Sequence, residues 1–162
     1  MVASAKAPST QATRLLRQIG IAFTEHLYRY QEHGGTAVCA RELGVAEHTV
    51  IKTLVMEDEQ GAPLIVLMHG DREVSTRALA RQLSRKAIQP CKPEAATRHS
   101  GYLVGGTSPF GTKKAMPTYA ETTIFELERI YLNGGSRGFL VGMDPQDLGR
   151  ALTVVRVQVG LP

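Results

Sequence analysis

A continuous apolar run in the first half of the chain predicts the centre of the fold. Residues 64–68 read LIVLM with no polar alternation, which indicates a strand that is covered on both faces. The stretch 50–57 precedes it, and a turn at 58–62 contains a glycine. Together these segments predict a hairpin whose second strand is 63–69.

Amphipathic segments with capping residues predict five helices around this hairpin. Thr10 or Ser9 is suited to cap the first helix, Thr36 the second, and Asp144 the last, because short oxygen-bearing side chains accept hydrogen bonds from free backbone amides. Gly20 ends the first helix in the same scheme. The predicted helices span residues 10–20, 37–43, 75–83, 93–99 and 144–151.

The remaining apolar segments predict further strands. These are 21–30, 114–119, 129–133 and 138–143, and Gly134–Gly135 is expected to join the last two. Alternation of Val155, Val157 and Val159 with polar residues predicts a half-buried closing strand. We therefore expect one mixed α/β domain over residues 10–162, with a curved, largely antiparallel sheet flanked by helices, after a flexible tail at 1–9.

Composition narrows the class of protein. The chain has 162 residues, of which 43% are apolar, enough for one globular core. It contains no apolar run near the 18 or so residues of a membrane span, and its N-terminus lacks a secretory apolar region. We expect a cytoplasmic protein with no membrane contact, in which Cys39 and Cys91 are free thiols.

The positive charge is modest in total but clustered. The formal net charge is +4, and Arg77, Arg81 and Arg85 are spaced to form one stripe on the third predicted helix. Like charges at this spacing repel, and a phosphate backbone would relieve the repulsion. A solvated helix face explains the stripe equally well, so both interpretations remain open.

The usual catalytic patterns are missing from the sequence. No two of the five histidines have the spacing of a zinc-binding helix, and there is no CxxC pair. Neither a GxSxG elbow nor a GxxxxGK[ST] phosphate loop occurs. We therefore predict no metal and no cofactor.

One lysine lies within an apolar stretch. Lys52 interrupts VIKTLVM, where its stem would pack and its ammonium could enter a cleft. The alternatives are an edge-strand lysine or one whose ammonium reaches back to solvent.

A long glycine-rich segment is the clearest candidate for a functional loop. GYLVGGTSPFG spans 101–111, and Gly105–Gly106 would allow close backbone approach and expose amides to an anion or oxyanion. A purely structural turn is the alternative. A second glycine pair at 134–135, with Asn133 and Arg137 beside it, is by itself an ordinary hairpin turn.

Six motifs together, in their order and spacing, resemble the YbaK family of free-standing aminoacyl-tRNA deacylases, which are related to the editing insertion of bacterial prolyl-tRNA synthetase. The resemblance covers residues 10–153 and implies the fold of that family. The motifs are FTEHLY (23–28), ELGV (42–45), VIKTLV (50–55), SGYLVGGTSPFGTKK (100–114), IYLNGGSRG (130–138) and DPQDL (144–148).

The resemblance implies roles for individual residues. Lys52 looks like the family's hallmark lysine, which contacts the aminoacylated 3′ end of tRNA, and Gly105 and Gly106 match the loop that positions the ester. We expect these three to be catalytic. The expected substrate-binding residues are Tyr28, Thr53, Thr107, Ser108, Pro109, Asn133, Gly134, Gly135 and Arg137.

The resemblance also implies a function and a partner. The family's members are thought to need no protein nucleophile, because groups of the substrate take part in the hydrolysis. We expect an enzyme that acts on the acceptor end of mischarged tRNA, with prolyl-tRNA synthetase as a candidate partner. The alternatives are a non-catalytic tRNA-binding or synthetase-associated module, or a small-molecule or nucleotide-binding protein.

The amino acid to be removed is left open. Asn133 stands where family members that clear cysteine from proline tRNA usually have serine, residues 34–36 lack a bulky aromatic, and Leu140 replaces an often polar residue. Cysteine, alanine, serine and threonine all remain candidates, since one methylene changes affinity by only about 1–3 kcal/mol.

Overall fold

The computed structural model describes residues 6–162, which form five helices and ten strands. The helices are α1 (Gln11–Ile19), α2 (Gly35–Leu43), α3 (Thr76–Gln82), α4 (Pro93–Ser100) and α5 (Leu148–Ala151). The strands are β1 (Thr24–Leu27), β2 (Ile51–Asp58), β3 (Pro63–His69), β4 (Glu73–Val74), β5 (Ile88–Pro90), β6 (Thr118–Glu121), β7 (Ile130–Ser136), β8 (Phe139–Met143), β9 (Val154–Val157) and β10 (Gly160–Leu161). Short 3-10 turns occupy Glu47–Thr49, Thr122–Glu126 and Pro145–Asp147.

The strands are divided among three sheets. A large sheet has the order β5-β2-β3-β6-β9, a small sheet the order β1-β8-β7, and β10 pairs with β4. Only β3–β6 and β6–β9 are parallel pairs within the described residues, and the other named strand pairs are antiparallel. The predicted fold class, mixed α/β with a largely antiparallel mixed sheet, is confirmed.

The predicted hairpin is confirmed as β2–β3, at the centre of the large sheet. Lys52 lies opposite Met68 and Val55 opposite Ile65. The two faces of β3 pack into different cores: Ile65 and Leu67 join the larger one with α1 and α5, and the alternate residues pack against α3. The apolar run has no polar alternation because neither of its faces meets water.

Of the three predicted helix caps, the one on the first helix is confirmed and the other two differ. Asp144 caps the 3-10 turn Pro145–Asp147, and α5 begins only at Leu148. Thr10 caps α1 through a hydrogen bond from the amide of Thr13, and Ser75 caps α3. The predicted cap at Thr36 is wrong, because α2 begins at Gly35. The Thr36 hydroxyl instead lies 3.2 Å from the Gly70 carbonyl oxygen, where it joins the helix to the end of the hairpin.

The predicted joint between the last two strands of the small sheet is wrong. Gly134 and Gly135 lie within β7, where the pairing with β8 shifts between Asn133 and Ser136. The chain turns at Arg137–Gly138 instead. The glycine pair therefore forms a bulge, in which one strand holds extra residues and bends.

Two predicted strands are shorter than expected. The strand predicted at 21–30 is limited to β1, since the chain after Leu27 follows the β7–β8 turn, with the Tyr28 amide bonded to the Gly138 carbonyl. The strand predicted at 114–119 begins only at Thr118, because the chain before it closes the glycine-rich loop.

The predicted arginine stripe is also incomplete. Helix α3 ends at Gln82, so Arg85 lies beyond it, with its Nε 3.4 Å from the buried Asp58 carboxylate. Of the three arginines of the predicted stripe, only Arg77 and Arg81 lie on the helix, and both are exposed.

The two ends of the chain differ from the predicted pattern. Residues 1–5 of the predicted tail lie outside the described residues, and Ala7 packs against the larger core. The closing strand β9 stops at Val157, and Val155 is 50% exposed. No helix within residues 6–162 combines the length and the apolar character that crossing a membrane requires.

A buried carboxylate holds the C-terminal segment in place. Glu121 accepts hydrogen bonds of 2.7 Å from the amides of both Val159 and Gly160. Gly160 pairs with Val74, and the Ser75 amide donates to the Val159 carbonyl. Glu121 therefore indirectly fixes β4, the strand that carries Glu73.

Replacing this carboxylate should destabilise the fold. We expect Glu121→Ala to lower the free energy of unfolding by about 2–4 kcal/mol, because two amides lose a charged acceptor and one of them is buried. Urea denaturation followed by circular dichroism measures the change. The exposed Glu126→Ala should stay within about 0.5 kcal/mol of the parent, and an equal loss in both variants would contradict the assignment.

Candidate active site

A cleft of about 710 Å³ lies between the first half of β2, helix α4, the glycine-rich loop and the segment that leads into α2. Its volume is in the range of small-ligand sites, which are typically about 300–1,000 Å³. The predicted site residues divide into two groups around it. Those that line the cleft are Tyr28, Lys52, Thr53, Gly105, Thr107, Asn133 and Arg137. Those outside the lining are Gly106, Ser108, Pro109, Gly134 and Gly135.

The Lys52 ammonium is held inside the cleft. It donates a hydrogen bond to the Arg72 carbonyl and lies 3.5 Å from the Glu73 carboxylate. The Lys52 side chain is only 19% exposed, whereas that of Glu73 is 79% exposed. The ammonium is therefore directed at the cleft, against the alternative of a lysine that reaches back to solvent, and its carboxylate partner is free to move away.

The neighbouring Thr53 hydroxyl is buried without a partner. No hydrogen-bond partner for its oxygen occurs among residues 6–162. A buried hydroxyl left unpaired costs roughly 1–3 kcal/mol, which a ligand in the cleft would recover by bonding to it.

The glycine-rich loop is held to the small sheet by side chains of β7 and its turn. Asn133 Nδ2 donates to the Gly105 carbonyl over 3.0 Å, and Arg137 Nε donates to the Val104 carbonyl over 2.9 Å. Asn133 Oδ1 also accepts hydrogen bonds from the amides of Gly135 and Ser136. One asparagine therefore shapes the bulge and positions the loop, although both it and Arg137 also line the cleft.

Glycine is required in the loop because the backbone approaches its neighbours closely. Gly105 has φ +91°, and a Cβ there would lie 2.7 Å from the Tyr30 hydroxyl. A Cβ on Gly106 would lie 2.8 Å from the Arg137 amide nitrogen. The predicted oxyanion role of Gly106 is not supported, because its own amide donates to the Leu103 carbonyl over 2.8 Å.

Ser108 and Pro109 are buried under the loop. The Ser108 oxygen accepts the Phe110 amide at 3.1 Å, and the Tyr102 hydroxyl donates to the Phe110 carbonyl at 2.6 Å. Phe110 is fully buried. Ser108 and Pro109 anchor the loop and lie outside the cleft lining, and their contacts with substrate stay predictions.

The bulge glycines allow close packing behind the cleft. A Cβ on Gly134 would lie 2.4 Å from the Phe139 ring, and one on Gly135 would lie 2.9 Å from the Tyr102 ring. The Gly134 carbonyl also accepts the Thr10 hydroxyl that caps α1. Both glycines lie outside the cleft lining, and their substrate contacts stay predictions.

Several cleft residues escaped the sequence prediction, and three of them contact predicted site residues. The Arg137 guanidinium lies over the Tyr30 ring, 5.1 Å from its centre. Cys39 packs near Tyr28, and the Glu73 carboxylate forms an ion pair with Lys52. The only sequence signal for Tyr30 is its position two residues after Tyr28, which places both on one side of an extended chain. Glu73 gave no signal, because its partner is 21 residues away.

Burial keeps the candidate nucleophiles protonated. It raises the pKa of the Cys39 thiol, and it raises the pKa of the Tyr28 hydroxyl with a further contribution from the hydrogen bond to Cys39. Burial and the Glu57 carboxylate raise the pKa of Cys91, which also lines the cleft. A thiol is reactive as the thiolate, so neither cysteine is activated for attack at neutral pH.

One group of potential metal ligands, His48, His69 and Asp71, occurs within the described residues. The two imidazole rings stack at 3.7 Å and are nearly parallel, at 5°. His69 Nδ1 bonds the His48 carbonyl and its Nε2 bonds the Thr123 hydroxyl. His48 Nδ1 lies 2.8 Å from the Asp71 carboxylate. Because both nitrogens of His69 are already bonded, this residue offers no free ligand atom for a metal.

Comparison with known proteins identifies the family. The model of the aminoacyl-tRNA editing domain matches residues 33–151. The chain belongs to this family. A proposed Cys-tRNA(Pro)/Cys-tRNA(Cys) deacylase of Enterococcus faecalis, EbsC, is 27% identical over 138 residues, which are 85% of this chain and 84% of that protein. A proline–tRNA ligase of Nitratidesulfovibrio vulgaris is 30% identical over 105 residues, which are 65% of this chain and 17% of the ligase.

Solved structures confirm the fold. The hypothetical protein APE2540 superposes with a TM-score of 0.86 at 20% identity, covering 94% of this chain and all of that one. A proposed trans-editing enzyme for prolyl tRNA synthetase superposes with a TM-score of 0.81 at 18% identity, covering 96% and 100% of the two chains. The resemblance to the YbaK family seen in the sequence is confirmed by these comparisons.

A methyl group on Gly106 should damage the loop. We expect Gly106→Ala to lower the free energy of unfolding by about 1–3 kcal/mol, because the added carbon overlaps the backbone of the β7–β8 turn. Urea denaturation measures the effect. Gly149→Ala is the matched control, since its Cβ would meet nothing within 4 Å and it should be neutral or stabilising. Equal stability of the two variants would contradict the close approach.

Proposed function

We propose that this protein is a trans-acting aminoacyl-tRNA deacylase, which hydrolyses the ester between a tRNA and a small amino acid wrongly attached to it. The observation that carries the proposal is the Lys52 ammonium, held in one cleft with the glycine-rich loop and the unpaired Thr53 hydroxyl. Membership of the editing domain family supports it, as does the deacylase activity for which the Enterococcus faecalis relative is named.

The cleft suits the acceptor end of a tRNA. Lys52 can exchange the exposed Glu73 carboxylate for an oxygen of the terminal nucleotide, because a side chain 79% exposed loses little by moving into solvent. Thr53 then gains its missing partner. Binding would thus replace one exposed ion pair and recover one unpaired hydroxyl.

Hydrolysis would proceed by positioning and electrostatics. Water attacks the ester carbonyl, charge develops on the carbonyl oxygen, and the terminal ribose oxygen leaves. Because the Gly106 amide is bonded within the loop, the stabilising roles fall to the Lys52 ammonium and to the cleft-facing loop residues Gly105 and Thr107. A single preorganised donor of this kind contributes about 3–4 kcal/mol in other hydrolases.

No protein nucleophile is needed in this scheme. The thiols of the cleft stay protonated at neutral pH because burial raises the pKa of both. An ester is already activated, so a water molecule assisted by groups of the substrate suffices. The proposed assistants are a terminal ribose hydroxyl or the amino acid side chain.

The end of the cleft beside α2 favours a small amino acid. Val50, Cys39 and Leu140 are buried and pack together there, with Tyr28 against them. Thr36 and Asn133 add polar groups to the lining. Cysteine, alanine, serine and threonine fit this mixture. The name of the Enterococcus faecalis relative gives cysteine on either proline or cysteine tRNA, which favours cysteine as the amino acid. If the tRNA is the proline one, prolyl-tRNA synthetase is the candidate partner in the cytoplasm.

A panel of tRNAs charged with cysteine, alanine, serine or threonine tests the function directly. We expect at least one to lose its amino acid faster in the presence of the protein than in buffer. Loss of none would remove the deacylase proposal. Binding of uncharged tRNA without hydrolysis would favour a non-catalytic module, and binding of a free nucleotide in preference to tRNA would favour a nucleotide-binding protein.

Removing the lysine should abolish hydrolysis without unfolding the protein. We expect Lys52→Ala to reduce kcat/KM at least about a hundredfold, because the developing charge loses its main cation. Lys86→Ala, a change on the exposed surface, is the matched control and should retain full activity. A fully active Lys52→Ala protein with an unchanged melting temperature would contradict the assignment.

Substrate assistance predicts a dependence on the terminal ribose. If the hydroxyl next to the ester assists, a tRNA that ends in the corresponding deoxyadenosine should be hydrolysed at least about a hundredfold more slowly, the usual scale of general acid–base assistance. Single-turnover rates with both substrates measure this. Equal rates would exclude the ribose hydroxyl and leave the amino acid side chain as the assisting group.

A further inference from the structure

A group of three cations lies beside the cleft and has no role in the proposed hydrolysis. It consists of Arg98, at the end of α4, and Lys113 and Lys114, which follow the glycine-rich loop; we call it the α4 patch. All three residues are exposed. Among residues 6–162, none of the three forms an ion pair with a carboxylate.

Backbone hydrogen bonds fix the α4 patch in space. The Lys113 amide donates to the Ser100 carbonyl over 2.9 Å, and the Lys114 amide donates to the His99 carbonyl over 3.0 Å. These bonds join the two ends of the segment that carries Gly105 and Thr107. The backbone of Lys113 and Lys114 is therefore held next to the end of α4, where Arg98 lies.

The buried side chain that contacts Lys114 carries no negative charge. The Lys114 ammonium lies 3.1 Å from Nδ1 of the buried His99. Burial lowers the pKa of His99, and Lys114 and Arg98 lower it further, so the imidazole accepts this hydrogen bond in its neutral form. The Glu57 carboxylate raises the pKa of both His99 and Cys91, and it accepts a hydrogen bond from the Gln89 side chain.

The patch continues the wall of the cleft. Pro93 and Ala96 of α4 and the preceding Cys91 line the cleft, while Arg98 acts on the same Cys91 thiol from outside. An RNA strand whose terminal nucleotide occupies the cleft must leave along its rim. A rim with three cations that form no ion pair in the described part of the chain is favourable for phosphates.

The α3 side of the rim is less suited to phosphates. Arg85 is already paired with Asp58, and the exposed carboxylates of Asp71 and Glu73 lie just before the helix. Only Arg77 and Arg81 remain there as candidates. Helix α3 packs against the opposite face of the β2–β3 hairpin from α4. Arg77 and Arg81 therefore provide a control surface of similar charge.

We propose that the α4 patch binds the phosphates of the acceptor strand next to the terminal nucleotide, and that the α3 arginines do not. This inference rests on the proposed function in taking tRNA as the ligand. The inference specifies which surface holds the RNA outside the cleft. It also assigns the arginines of α3 to a solvated helix face, one of the two interpretations that the sequence left open.

The test compares Arg98→Ala/Lys113→Ala with Arg77→Ala/Arg81→Ala. Binding of uncharged tRNA is measured by fluorescence anisotropy at several salt concentrations. Each lost phosphate contact should reduce the slope of log K against log salt by about 1, so the patch variant should lose about 2 and the α3 variant none. Circular dichroism melting curves confirm that both variants fold, and Lys113→Glu provides a second, single-site variant, which should also weaken binding.

Deacylation provides a second readout that separates the two proposals. For any tRNA that is hydrolysed, the patch variant should raise KM on the order of tenfold with kcat unchanged. If no tRNA is hydrolysed, the proposed function fails, and the slopes with uncharged tRNA still decide the surface. An unchanged slope in the patch variant, or a greater loss in the α3 variant, would overturn the assignment.

Discussion

The fold depends on the burial of strand β3 on both faces. Ile65 and Leu67 pack into one core, and Leu64, Val66 and Met68 pack into the other, so the strand separates two apolar layers. Its neighbour β2 is covered less completely, because the cleft opens beside its first half. Lys52 and Thr53 can therefore be polar, although they lie opposite the apolar Met68 and Leu67. The position of the site follows from this difference between the two strands of one hairpin.

Close backbone contact, rather than side-chain chemistry, explains most of the glycines. Gly106 touches the β7–β8 turn, Gly134 touches Phe139, and Gly135 touches Tyr102. Asn133 joins these parts by bonding both the bulge and the loop. The two glycine-rich segments therefore form a single rigid unit. Their density in the sequence reflects the tight packing that holds Gly105 and Thr107 at the cleft.

Electrostatics divides the rim of the cleft. Lys52 forms an ion pair with an exposed carboxylate that is free to move away. Arg98 and Lys114 lie near the neutral His99, and neither they nor Lys113 form an ion pair within the described residues. Such an arrangement would leave the cleft weakly charged before binding and give the α4 side three cations that form no ion pair among residues 6–162. Affinity for a strand and chemistry at its end would then belong to different residues.

The sequence by itself determined the hairpin, most helix starts and the family, because these depend on local patterns: an apolar run, capping side chains and ordered motifs. It also identified Lys52 and the loop. Only the tertiary structure decided what each glycine does, since a turn and a bulge have the same composition and differ in their pairing. It likewise decided that Gly106, Ser108 and Pro109 lie outside the cleft lining, and that Tyr30 and Glu73 line it. The structure also showed that Arg85 does not belong to the arginine stripe, because it pairs with Asp58, which is distant in the sequence. Contacts between distant residues depend on the packing of the whole chain, which no local pattern encodes.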